Sequence, residues 1–65
     1  MPYITVEGGK LTDEQKEQLI KRLTEVSSEI MEIPQEFFLT IIKVLPDKNI
    51  GIGGITFDIL KNARK

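Results

Sequence analysis

The segment Phe37–Leu45, reading Phe-Phe-Leu-Thr-Ile-Ile-Lys-Val-Leu, constrains this chain more than any other stretch. It is β-branched and aromatic, it lies between Pro34 and Pro46, and it reads as a strand. Alternation puts Phe38, Thr40, Ile42 and Val44 on one face and Phe37, Leu39, Ile41, Lys43 and Leu45 on the other, so neither face suits water. Both need cover, and a chain of 65 residues holds one small domain with no second core to supply it.

Two further elements are legible. Tyr3–Glu7 alternates, with Ile4 and Val6 pointing one way and Tyr3, Thr5 and Glu7 the other, and Gly8-Gly9 ends this first strand. Thr12 and Gln15 have capping-box spacing, and Asp13 and Glu14 suit the positive end of a helix dipole, so a helix starts at Asp13. Leu19, Leu23, Val26 and Ile30 then recur at helical spacing, Ile20 widens the stripe, and Lys16, Glu17, Lys21, Glu25 and Glu29 fall largely elsewhere. Pro34 disfavours helical geometry at Ile33, which stops the helix near Glu32 after about 20 residues. Strand, helix and strand make a parallel, right-handed β-α-β unit. Its one helix covers one sheet face and leaves the other face and both edges bare. The pattern therefore predicts an α+β fold, a single domain over residues 1–65, whose sheets are completed between subunits.

The run Ile50-Gly51-Ile52-Gly53-Gly54-Ile55 starts like a phosphate loop, but the third glycine position is Thr56 and no clear helix follows at once. A glycine-rich hairpin is the better reading. The tail from Thr56 to Lys65 either packs on a neighbouring subunit or forms a short helical turn.

Nine Lys and Arg against ten Asp and Glu leave a net charge of −1, which offers little long-range attraction to a phosphate backbone. Lys61, Arg64 and Lys65 read as a solvated end, and nucleic acid is not an expected partner. With no cysteine and no histidine there is no disulfide framework and no thiolate. The commonest general base and transition-metal ligand are missing too. Chemistry is left to carboxylates, lysines, the one tyrosine or the amino terminus. Glu25, Glu29 and Glu32 read as a charged outer face, so no metal site is expected. Lys43 reads as a strand lysine reaching for water. No apolar stretch is long enough to span a membrane and the first ten residues do not look like a secretion signal, so the expectation is a soluble, cytoplasmic protein.

Pro2 then stands out. Removal of Met1 would expose its ring nitrogen as a secondary amine, a base that needs no side chain. An α-amino group titrates near about 7.7–8.0, and an apolar pocket or a nearby cation lowers that toward neutrality, where general bases work best. With Met1 attached the same nitrogen is an amide and has no basic lone pair.

Pro2 opens a short strand. Lys10 and then Thr12-Asp13-Glu14-Gln15-Lys16 open an amphipathic helix, Pro34 closes it, and Gly51-Ile52-Gly53-Gly54 follows the strand through Ile41-Ile42. In that order and spacing, over nearly the whole chain, the sequence resembles the 4-oxalocrotonate tautomerase family, in its short, hexamer-forming, DmpI-like branch. The resemblance implies β-α-β subunits, dimers with a four-stranded sheet, and a homohexamer built as a trimer of dimers. It implies Pro2 as the general base of an isomerase that moves a proton between carbons of a small 2-hydroxydienoate, enol or 2-oxo acid without cofactor or metal. Lys10 and Leu39 stand near or at the positions where the family carries carboxylate-binding arginines, and Ile50 stands where an aromatic is expected. These three are the expected substrate-binding residues: Lys10 as a weak electrostatic partner, lacking arginine's two-pronged match to a carboxylate, and Leu39 and Ile50 as apolar walls. The missing arginines also keep open a second reading, a catalytically silent oligomer of the same fold.

Overall fold

The computed structural model describes residues 1–63. Its elements are β1 (Tyr3–Gly8), α1 (Asp13–Met31), β2 (Leu39–Val44), a short hairpin of β3 (Gly51–Ile52) and β4 (Ile55–Thr56), and α2 (Phe57–Ala63), with 3-10 turns at Gln35–Phe37 and Asp47–Asn49. β1 and β2 pair in parallel from Tyr3 opposite Leu39 to Gly8 opposite Val44. The Leu39 N–H donates to the Pro2 carbonyl at 3.0 Å, and the Leu45 N–H to Gly8 at 2.8 Å, so the ladder runs one bond past each end.

The capping box closes α1 as its sequence requires. The Gln15 N–H donates to the Thr12 hydroxyl at 3.1 Å and the Thr12 N–H to the Gln15 side chain at 2.9 Å, which satisfies two otherwise orphaned donors. At the other end Glu32 turns into the left-handed region at φ 57°. Its N–H and that of Ile33 both reach the Ser28 carbonyl, while the Ser28 hydroxyl donates to the Ile33 carbonyl at 2.6 Å. This knot ends the helix just before Pro34.

The second strand is shorter than its sequence predicts. Phe37 belongs to a 3-10 turn, closed by the Phe37 N–H on Pro34 and the Phe38 N–H on Gln35. Pro34 starts that turn and takes two residues from the strand, leaving the Phe37 ring 53% exposed. The first strand is one residue longer, because Gly8 still pairs with Val44.

The helix also sits differently from its apolar stripe. Leu19, Leu23, Thr24, Ser27 and Ser28 are half-buried, and Thr24 and Thr40 share a hydroxyl hydrogen bond of 2.9 Å between helix and sheet. Val26 and Ile30 stay exposed, Ile30 at 75%. A two-stranded sheet is too narrow to shelter the full width of the stripe. On the bare sheet face lie Tyr3, Thr5 and Glu7 beside Leu39, Ile41 and Lys43, and the Lys43 ammonium sits 3.8 Å from the Glu7 carboxylate, both open to water.

Among the described residues none is fully buried. The radius of gyration is 15.4 Å, against about 11 Å for a compact chain of this length. Residues 47–63, a hairpin and helix, pack chiefly on each other and on the Asp47–Asn49 turn. Here Gly53 and Gly54 both have positive φ, at 62° and 83°, the conformation a two-residue hairpin turn requires. α2 follows β4 without a break, a helix that the sequence reading left open. No helix among the described residues is long and apolar enough to cross a membrane.

Candidate functional site

Pro2 lies at the head of β1, half-buried, with its carbonyl tied to the backbone of Leu39. Leu39 is the ladder partner of Tyr3, so these two expected site residues meet at one end of the sheet. Met1, just outside, is 86% exposed. The strand geometry explains the placement: residue 2 is extended because β1 begins beside it, and β2 begins at Leu39 because the 3-10 turn after Pro34 ends there.

Lys10 does not join them. It follows Gly8-Gly9 at the far end of β1, and six residues of extended chain from Pro2 to Gly8 span about 20 Å. Lys10 lines an open groove of about 500 Å³ with the apolar segment 44–46, Asp47, Lys48, Asp58 and Lys61. Ile50 lies toward this end too, at the close of the Asp47–Asn49 turn, where its carbonyl accepts the Phe57 N–H at 2.7 Å. The four expected site residues therefore fall into two pairs on one subunit, Pro2 with Leu39 at one end, Lys10 and Ile50 toward the other. A small acid cannot bridge them within one chain.

The groove contains residues that sequence reasoning did not connect with the site. Lys61 pairs with Asp47 at 2.9 Å, joining α2 to the turn before the hairpin. The Asp58 carboxyl is held below its ordinary value, first by the Thr56 hydroxyl, then by the Ile59 N–H at 3.0 Å, with a smaller contribution from the Lys48 charge. Lys48 is named by no motif; only its position one residue from Asp47 and three from Gly51 could have pointed to it. Of the tail cations, Arg64 and Lys65 lie outside the described residues.

The family model described as "Tautomerase enzyme" matches residues 2–58, from Pro2 to the start of α2. The chain belongs to the tautomerase family. A probable tautomerase of Listeria monocytogenes is 33% identical over 57 residues, covering 85% of this chain and 92% of that protein. Among solved structures, an apo unfused 4-OT is 37% identical with a TM-score of 0.84, covering 91% of this chain and 98% of the other. DmpI from Archaeoglobus fulgidus is 32% identical with a TM-score of 0.79, covering 88% and 98%. These likenesses place this tautomerase with the 4-oxalocrotonate tautomerases, and the β-α-β subunit with its C-terminal hairpin is the fold they share.

Proposed function

We propose that this tautomerase isomerises a small 2-hydroxydienoate, enol or 2-oxo acid, with the amino-terminal nitrogen of Pro2 as general base. The free amine takes the enol hydroxyl proton and the resulting ammonium returns a proton to a carbon of the same substrate, so the net change is a shifted double bond. No metal or cofactor enters this scheme. The observation that carries the reading is the position of Pro2: the family match begins at it, it is half-buried, and its carbonyl accepts the Leu39 N–H at the head of the sheet. The reading requires removal of Met1, which is exposed and followed by a small residue.

Two half-sites per subunit make a working site only if copies associate. We therefore place the active form in a homo-oligomer, a trimer of dimers, in the cytoplasm, where one copy's Pro2 and Leu39 face another copy's Lys10 and Ile50. The absence of a fully buried residue in the described chain supports association, and a relative of the same fold from Chloroflexus aurantiacus is a heterohexamer.

The silent-scaffold reading draws on Leu39, an apolar residue where a carboxylate-binding arginine is expected. One experiment separates the two. Protein whose intact mass lacks methionine is assayed for phenylenolpyruvate ketonisation beside Pro2→Ala; the enzyme reading expects turnover that falls by about 100-fold or more in the variant. Equal rates in both proteins, or rates no higher than buffer, favour the scaffold.

A further inference from the structure

The groove at the far end of β1 carries three ammonium groups and two carboxylates, and their pairing is uneven. Lys61 is neutralised by Asp47. The Asp58 carboxylate accepts the Ile59 N–H at 3.0 Å, and the Thr56 hydroxyl and, more weakly, the Lys48 charge also favour its ionised form. Lys10 and Lys48 have no ion-pair partner within 4.0 Å among the described residues, yet both line the same groove. Its wall from Val44 to Pro46 is apolar, which strengthens the pull of the groove's excess positive charge on an anion.

Lys48 is also seated firmly. It is the middle residue of a 3-10 turn closed by the Asn49 N–H on Pro46 at 2.8 Å and the Ile50 N–H on Asp47 at 3.2 Å. The Asp47–Lys61 pair tethers that turn to α2. The closed turn fixes the backbone that carries the Lys48 side chain, so less backbone freedom is lost on binding than from an open loop.

We propose that Lys48, together with Lys10, binds the carboxylate of the substrate at this groove, doing with two point charges what an arginine fork would do in one. The site then recognises an unsaturated acid by its carboxylate on one copy and deprotonates it with Pro2 of another. Asp47 and Lys61 are positioning residues in this scheme, since they act through the turn. The substrate end of the scheme rests on the tautomerase reading above, but the anion site stands or falls by binding alone.

The test is an NMR titration of Met1-free protein with cis,cis-muconate, an unsaturated dicarboxylate that has no enol proton to give. Amide shifts are expected at Lys10, Lys48 and Asp58. Lys48→Ala should raise the Kd about tenfold, the loss expected for one charge-assisted hydrogen bond, and Lys48→Arg should return it to within about twofold. Lys48→Gln, which keeps the stem, carries the same comparison if Lys48→Ala disturbs assembly. Shifts confined to other residues, or a Kd unchanged in both neutral variants, overturn the proposal. With phenylenolpyruvate the neutral variants should raise KM and leave kcat nearly unchanged. Pro2→Ala should lose kcat and keep its muconate Kd. A fully active Pro2→Ala would sink the base reading while leaving the muconate result to judge Lys48.

Discussion

The β-α-β unit and the C-terminal arm are held together in different ways. In the first, residues far apart in sequence meet: six ladder pairs join β1 to β2, and Thr24 on the helix bonds Thr40 on the sheet. In the second, residues 47–63 meet mostly their own neighbours, through a two-pair hairpin, a short helix and the Asp47–Lys61 pair. No residue of the arm is fully buried among the described residues, and the proposed association would bring its Ile50 and Lys48 to another copy. In the proposed oligomer each copy supplies half of two sites.

The arm is the more sensitive of the two to a single substitution. Gly53→Val puts a β-branched residue at φ 62°, where open space surrounds the added atoms and only the backbone objects. The expected cost is about 1–2 kcal/mol. It should appear as dissociation in sedimentation at low protein concentration, with turnover lost alongside. In the β-α-β unit, Thr12→Ala removes one half of the capping box and should cost about 1 kcal/mol in denaturant unfolding. Glu32→Gly should act in the opposite direction, stabilising by about 0.5–1 kcal/mol because glycine takes the left-handed helix stop without strain; a lower midpoint would show that Glu32 is held there by something other than backbone geometry.

The smallest effect concerns acid. Asp58 titrates below its usual value of 3.8 in the folded chain, chiefly through the Thr56 hydroxyl. A carboxyl depressed by folding stabilises the fold above its unfolded pKa, and that contribution fades as pH falls below about 4 through the lower folded value. Thr56→Val should move the Asp58 titration, followed by NMR, back up toward 3.8 and blunt the arm's sensitivity at the acid end of that range. An unmoved titration would reassign the shift to the Ile59 N–H.

What the sequence made legible tracks this same division. The helix limits were readable because Thr12, Gln15 and Pro34 act locally, and the hairpin because paired glycines are turn formers whatever surrounds them. β2 starts at Leu39 rather than at Phe37: β-branched and aromatic content marks a strand, but the 3-10 turn after Pro34 competes for the same residues. Seven residues of α2 are too few to show a period. Pro2, Lys10, Leu39 and Ile50 were each nameable from sequence, yet their split into two ends was not, since it follows from ladder register and strand length. Lys48 escaped notice because a lysine in a turn is ordinarily only a solvated one.

In the proposed oligomer a working site joins Pro2 of one copy to the lysines of another. Pro2→Ala and the double variant Lys10→Ala/Lys48→Ala should each be nearly inactive at low phenylenolpyruvate. Mixing them one to one, with unfolding and reassembly, should restore roughly a quarter of the wild-type rate, because one site in four then draws an intact proline and intact lysines from different subunits. A mixture no more active than its parts would contradict the shared site.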